Sequence, residues 1–350
     1  MRIMNILFTC AGRRTYLLKY FKENMKAGDR VVATDMQLTA PALQAADVRI
    51  QVPAVYDPKY VDITLSICRE QRIDALISLN DLELPILARE KARFEAVGTR
   101  VIVSDSEVID IAFDKYRTAQ WVEQRGLKAP KTYVRLEDAK RALQACEVQF
   151  PLFMKPRWGS GSIGLETIED MDELETYYRL LMKKIKRTIL ATASVGDEYI
   201  MIQEKLTGEE YGLDVMNDLE GHFVGVSVKQ KLAMRAGETD KAVTVDNEEL
   251  RAIGRKIGEA LGHIGNLDVD IMVREQQEKD ASGQPVVHKE FCVLELNPRF
   301  GGGFPFSYEA GVNLPKAILL WLAHEPVQPE MLVPRYGQLF AKNDYLMEIK

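Results

Sequence analysis

Lys155 closes an apolar run and is followed by Pro156-Arg157-Trp158-Gly159-Ser160-Gly161-Ser162-Ile163-Gly164. A glycine- and serine-rich loop leaving a strand can fold its backbone N–H groups over a polyphosphate while the lysine supplies a point charge. The order differs from a Walker A loop, where the glycines precede the lysine and a helix follows. A plain β-hairpin turn would carry glycine and serine too, so this stretch alone leaves both readings open.

A second stretch runs Leu294-Glu295-Leu296-Asn297-Pro298-Arg299-Phe300-Gly301-Gly302-Gly303. Residues two apart on a strand share a face, so Glu295, Asn297 and, just beyond, Arg299 point one way while Leu294 and Leu296 face the core. Two oxygen ligands on one strand suit Mg²⁺, which also takes water and phosphate oxygens, and a neighbouring guanidinium can clamp a phosphoryl group. The simpler alternative is a solvent-facing strand edge, but three successive glycines are poor strand residues unless another group must come close to the backbone. Across an expected hairpin, Leu267-Asp268-Val269-Asp270-Ile271 puts Asp268 and Asp270 on one face. Antiparallel pairing would set one of them, Asp270 by preference, beside Glu295 and Asn297, where a bridging cation would relieve the repulsion.

The third stretch is Gln203 to Val215. A strand ending in Glu204-Lys205-Leu206 and turned by Thr207-Gly208 can present edge backbone groups to a purine, while Glu209 or Glu210 accepts from ribose hydroxyls. A polar hairpin explains it as well.

The elements that must position these residues come in two styles. Up to about Ile111, short β-branched runs (Asn5 to Thr9, Val31 to Thr34, Ala75 to Ser78, Arg100 to Val103) alternate with helical patterns, which predicts a Rossmann-like α/β unit with a parallel sheet. Gly12 and Asp35 invite a dinucleotide reading, but the second and third glycines of the fingerprint are missing, and a tight strand–helix turn able to meet an anion fits better. Asp114 to Leu127 reads as a helix, and Gly126 with Pro130 marks a linker. From about Thr132 to Met201 a small α+β unit is expected. Beyond Glu198 come longer, antiparallel strands, with Glu275 to Pro285 as a hairpin loop and helices at Glu248 to Leu261 and Leu314 to His324.

Composition narrows the classes. The chain has 350 residues, 46 basic against 52 acidic, and a formal net charge of −6, so nothing drives it toward a phosphate backbone and nucleic-acid binding is disfavoured. Cys10, Cys68, Cys146 and Cys292 are scattered without metal or disulfide spacing, which points to a reducing, cytoplasmic setting. The apolar stretch from Met4 to Cys10 is short and runs into Gly12-Arg13-Arg14, so it reads as a first strand, and no run is long enough to span a membrane.

Together these stretches carry a resemblance. Residues 114 to about 325 resemble the ATP-grasp superfamily, the N-terminal unit is similar to its preATP-grasp domain, and by motif the chain resembles the carbamoyl-phosphate-synthase-like carboxylate-amine ligases. The resemblance implies a preATP-grasp domain at 1–113, a small lobe at 114–197 and a large lobe with a C-terminal segment at 198–350. It also implies Mg²⁺- or Mn²⁺-dependent ATP chemistry with two ions per site, in which a small-molecule carboxylate becomes an acyl phosphate and is attacked by an amine or other nucleophile. Carried over residue by residue, Lys115 and Lys155 are ATP lysines. Gly159, Ser160, Gly161, Ser162 and Gly164 belong to a phosphate lid, Glu204, Lys205 and Leu206 form the adenine hinge, and Glu210 contacts the ribose, with Asp214 on the same edge. Asp270, Glu295 and Asn297 are implied metal ligands, and Arg299 with Lys155 serves the transfer step.

Substrate recognition is expected from Gly301 to Ser307, from Lys231 and Arg235 after the His222 strand, and from Asn80, Asp81 and Glu83 at the mouth of the N-terminal unit. A solvated basic loop is the plain alternative for Lys231, Arg235 and Lys241. The expected partners are small molecules, with a homodimer allowed for. An NAD(P)-dependent oxidoreductase and a nucleotide-binding subunit without turnover are the competing classes. Intact Lys155, Glu295, Asn297 and Arg299 favour the enzyme.

Overall fold

Five apolar runs near the N-terminus, β1 (Asn5–Thr9), β2 (Arg30–Asp35), β3 (Val48–Gln51), β4 (Ala75–Ser78) and β5 (Arg100–Ile102), form a parallel sheet in the order β3-β2-β1-β4-β5. The computed structural model describes residues 3–159, 164–187, 198–279, 284–344 and 346–349. All five residues of β1 are buried, as expected where helices cover both faces of a parallel sheet. Those helices are α1 (Thr15–Asn24), α2 (Tyr60–Glu70), α3 (Leu84–Glu95) and α4 (Ser106–Phe113). The strand order reverses between β1 and β4, and at such a switch point a crevice opens beyond the carboxyl ends of the strands. Asp81 lies just past the end of β4.

A four-stranded antiparallel sheet follows, in the order β6-β9-β7-β8. Its strands are β6 (Thr132–Tyr133), β7 (Leu152–Pro156), β8 (Glu166–Ile168) and β9 (Ile200–Glu204), accompanied by α5 (Lys115–Gln124), α6 (Leu136–Gln144) and α7 (Met171–Ile185). The third sheet is six-stranded and antiparallel, β14-β13-β10-β11-β12-β15. It is built from β10 (Glu210–Asn217), β11 (Phe223–Arg235), β12 (Glu238–Thr244), β13 (Gly265–Lys279), β14 (Pro285–Asn297) and β15 (Leu339–Ala341), with α8 (Glu248–Leu261), α9 (Phe304–Glu309) and α10 (Leu314–Leu322).

Helix α8 decides which face of this sheet is free. Asn247 caps it by accepting from the Leu250 N–H, and Gly262, in the left-handed region at φ 62°, ends it. Its apolar stripe of Leu250, Ile257 and Leu261 packs with Leu213, Val215 and Val228 of the sheet. The helix lies close because Gly254 and Gly258 carry no side chain there: a Cβ would stand 2.8 Å from Val226 and 2.7 Å from Phe223. Residues of β10 alternate, so Glu210, Gly212 and Asp214 are turned to the opposite face.

A second apolar cluster joins the parallel sheet to the chain's later part, with Phe8 and Phe21 packed among Phe300, Phe304, Leu314 and Ile318. Tyr20 of α1 stacks on Tyr308 of α9 at 3.6 Å between ring centroids.

Several elements differ from the sequence expectation. The edge strand β3 alternates Val-Arg-Ile-Gln and is too short and polar to stand out. Strand β11 continues through Lys231 to Arg235 and pairs with β12, so this basic segment is sheet, not loop. Strands β13 and β14 run on to Lys279 and from Pro285, so much of the polar stretch from Glu275 is paired strand rather than loop.

His263 follows α8 and is fully buried; its Nε2–H donates to the Val215 carbonyl at 3.0 Å, while Nδ1 has no partner. Burial, only partly offset by that bond, lowers its pKa to about 4. The unfolded chain therefore binds a proton that the folded chain refuses between the ordinary value near 6.5 and about 4, and stability falls as pH drops through that window. The loss, about 3 kcal/mol in full, should be read by urea unfolding between pH 7 and 4, and His263→Gln should flatten the profile.

Candidate active site

The sheet face turned away from α8 carries ionised side chains in register. Asp268 pairs with Asn297 and Asp270 with Glu295 across β13 and β14, while Gly212 of β10 lies between Asp270 and Lys229. After the Asp270–Glu295 pair the register shifts, so that Ile271 faces Val293 and Leu294 is the extra residue of a β-bulge. The bulge sends Val293 into the core, although it has the same parity as Glu295. Leu294 is correspondingly half-buried and joins no core cluster, contrary to the expectation that it faces inward with Leu296.

Two lysines, one from the small sheet and one from helix α5, converge on Glu295. Lys155 Nζ of β7 is 3.5 Å from Glu295 Oε1, and Lys115 Nζ, at the start of α5, is 3.9 Å from the same oxygen. Lys115 also donates to the Gly159 carbonyl, which ties it to the loop after β7. Arg157 holds the two elements together by bonding both oxygens of Asp114, the N-cap of α5, at 2.8 Å each. Burial opposes ionisation of Glu295, yet Lys115 and Lys155 outweigh it and hold its carboxyl below the usual range. The Lys155 ammonium is pulled down by burial; Glu295 counters this, but Lys115 adds like-charge repulsion. Gly164 closes the loop with φ +72°; Ser160, Gly161 and Ser162 lie outside the described residues.

Arg299 joins this face to the N-terminal unit. Its Nη2 donates to Asp81 Oδ2 at 3.0 Å, its Nε lies 3.0 Å from Oδ1, and its Nη1 donates to Asp268 Oδ2 at 3.2 Å. The three glycines that follow are explained by close approach rather than by dihedral angle. A Cβ on Gly301 would fall 2.2 Å from the Asp268 carboxyl carbon, one on Gly303 2.8 Å from Lys229 Cε, and one on Gly302 3.0 Å from Glu238 Cδ. Beneath them Lys229 and Asp214 form a wholly buried ion pair, and Asp214 also accepts from Ser307 and Asn266.

At the hinge, the Glu204 carboxylate is occupied by Arg274, at 3.0 and 2.7 Å, and by the Lys131 N–H. Its side chain therefore anchors the small sheet to β13, and the backbone of Lys205 and Leu206 beyond the strand is what remains for a base. The Lys205 ammonium sits over the Phe153 ring. Gly208 packs so tightly that a Cβ would lie 2.3 Å from the Val273 carbonyl oxygen. Glu210 accepts from Lys231 at 2.7 Å, and the same ammonium bonds Asp270 at 2.6 Å. Burial, with Asp268 and Glu295 nearby, pushes Asp270 up to about 6 despite Lys231.

Some expected positions fall elsewhere. Asp214 is completely buried and already hydrogen-bonded, so it does not share the ribose edge with Glu210. Glu83 is also fully buried, accepting from Thr9, Tyr60 and Ser78 within the N-terminal unit. Asn80 caps the turn by accepting from the Leu82 N–H. Arg235 turns to Asp240 and Asp344 on the surface, and Lys241 is exposed. Both oxygens of Asp35 accept backbone N–H groups, from Gly12 and Gln37, which removes the carboxylate that a nicotinamide ribose would need. The Asp114–Arg157 brace has no local signal in the sequence, whereas the buried Lys229 has one in the alternation of lysines at 229 and 231, which lie opposite Gly212 and Glu210.

Among the described residues no three of His, Cys, Asp and Glu group closely enough to hold a metal by themselves. Asp270, Glu295 and Asn297 side by side still fit a Mg²⁺ ion, which commonly takes one or two carboxylates and completes its shell with water and phosphate oxygens.

Residues 112–303, more than half of the chain, match the ATP-grasp domain, and residues 6–102 match the PylC-like N-terminal domain. The chain belongs to the ATP-grasp family. The carbamoyl phosphate synthase large chain of Bifidobacterium animalis subsp. lactis is 24% identical over 278 residues, 74% of this chain and 23% of that protein. That of Myxococcus xanthus is 22% identical over 278 residues, 76% and 23% of the two chains. The chain thus spans under a quarter of the length of these curated relatives. Among solved structures, the L-amino acid ligase of Bacillus licheniformis superposes with TM-score 0.68 at 19% identity, covering 96% of this chain and 79% of that one. The biotin carboxylase of Campylobacter jejuni gives 0.68 at 17%, covering 96% and 74%. At these identities the likeness is one of fold. The resemblance to an ATP-grasp, carbamoyl-phosphate-synthase-like carboxylate-amine ligase and the α/β plus α+β fold class are both borne out.

The glycine contacts give a direct test. Gly301→Ala should cost about 1–3 kcal/mol in urea unfolding, because the new methyl displaces the Asp268 carboxylate that Arg299 needs. Gly302→Ala should cost less, since the exposed end of Glu238 can move aside.

Proposed function

We propose that the protein is an ATP- and Mg²⁺-dependent ligase that phosphorylates a small-molecule carboxylate to an acyl phosphate and transfers the acyl group to an amine, releasing ADP and phosphate. The observation that carries this reading is the convergence of Lys115 and Lys155 on Glu295, directly opposite Asp270 and two residues from Asn297 on the same strand. Divalent metal ions, two in the family's usual arrangement, would be held by Asp270, Glu295 and Asn297 and would supply charge neutralisation at the transferred phosphoryl group.

Phosphoryl transfer asks for alignment and charge compensation more than for covalent help. Lys115 and Lys155 would bind the phosphates, with the Gly159–Gly164 loop closing over them. The backbone at Lys205 and Leu206 would take the adenine and Glu210 the ribose. A substrate carboxylate oxygen attacks the γ-phosphorus as the bond to the ADP oxygen breaks. The amine nitrogen then attacks the acyl carbon, phosphate leaves with the C–O electrons, and the amine gives up a proton. Arg299, with five N–H donors and a fixed charge, would bind the acyl phosphate. Its ion pair with Asp81 supports a site for the acid and amine where the crevice between β1 and β4 meets the sheet. The domain limits 1–113, 114–197 and 198–350, a cytoplasmic setting and a homodimer complete the reading. No helix among the described residues is long and apolar enough to cross a membrane.

Mg²⁺-dependent ADP release with hydroxylamine as surrogate amine, scanned over amino acids, sugar acids and other small carboxylates, tests this. ADP and hydroxamate should appear together for one acid, and Glu295→Gln should lower kcat by about 100-fold or more with the far-UV circular dichroism unchanged. ADP release without acid dependence, or full turnover by Glu295→Gln, would overturn the assignment.

A further inference from the structure

Lys231 has no part in the phosphate lysine pair, yet it is nearly buried, at 6% side-chain exposure, in the middle of the polar face. It can lie there because Gly212 stands between: a Cβ on Gly212 would press on Lys231 Cε at 3.2 Å and on Lys229 Cε at 3.4 Å. Reaching over that gap, its ammonium bonds Glu210 at 2.7 Å and Asp270 at 2.6 Å. These two carboxylates sit on different strands and, in the function proposed above, on the ribose side and the metal side of the nucleotide.

Charge in the ion-paired set shows what this does. Lys115, Lys155, Lys231 and Arg299 face Asp81, Glu210, Asp268, Asp270 and Glu295, four cations against five carboxylates, leaving one net negative charge. A bare divalent ion finds little uncompensated charge there. Without Lys231 the balance would be three against five, which a divalent ion matches. A metal arriving with nucleotide phosphates brings its own counter-charge and does not meet this obstacle.

We propose that Lys231 is a positioning residue that links metal binding to nucleotide binding: by bridging Asp270 to Glu210 it occupies the charge a free divalent cation would seek, so metal enters with the nucleotide rather than ahead of it. This rests on the reading of the site given under the proposed function. The probe is Mn²⁺, followed by electron paramagnetic resonance of the full chain with and without ADP. The wild type should bind Mn²⁺ weakly alone and much more tightly with ADP. Lys231→Gln, which keeps two N–H donors for the carboxylates but removes the charge, should bind Mn²⁺ alone at least about tenfold more tightly and show a smaller gain from ADP. Lys231→Arg should behave as the wild type, and because it keeps the charge it separates this effect from a loss of folding, which circular dichroism monitors. An unchanged Mn²⁺ affinity in a folded Lys231→Gln chain whose wild type binds Mn²⁺ with ADP would overturn the inference alone. A wild type that binds no Mn²⁺ even with ADP would remove the site reading and the inference together.

Discussion

Ionised side chains brought together under other parts of the chain must be paired to be there at all. The face of the six-stranded sheet opposite α8 holds Glu210, Asp214, Asp268, Asp270 and Glu295, and each has a cation within ion-pair distance or a dense set of donors. Removing one partner of such a buried pair costs about 3–5 kcal/mol, so the arrangement is rigid wherever nothing else compensates. The rest of the architecture follows: the small sheet brings Lys155, helix α5 brings Lys115, the N-terminal sheet brings Asp81 to Arg299, and glycines stand where a side chain would block an approach.

The same constraint separates structural pairs from working ones. Lys229 and Asp214 are fully buried, and Ser307, Ser227 and Asn266 surround them, so they stiffen the floor under the glycine turn. Glu295 and its two lysines are half-buried on a face that opens between two sheets. Charges held near neutrality at such an opening can exchange partners with a charged ligand. Those sealed beneath it cannot.

The N-terminal sheet is more than an attached unit. Phe8 and Phe21 share an apolar cluster with Phe300 and Phe304, which immediately follow Arg299 and the glycine turn. The position of the guanidinium is therefore set by packing between the sheets as much as by its own strand. Ion pairing to Asp81 at one end and to Asp268 at the other fixes its plane.

The sequence by itself determined the local elements and the residue types: the α/β start, helix Glu248–Leu261 at its exact ends, the share of one face by Glu295 and Asn297, and the lysine before the Gly159 loop. These are legible because strand and helix periodicities and capping residues act over a few positions. Tertiary structure decided the rest. The register of β13 against β14 put Asp270 opposite Glu295, and the bulge at Leu294 reversed which neighbours face the core. Whether Asp214 or Glu83 is buried, and whether Lys231 lies on a loop or bridges two carboxylates, depends on partners dozens of residues away, and such long-range pairing leaves no periodic trace in the chain.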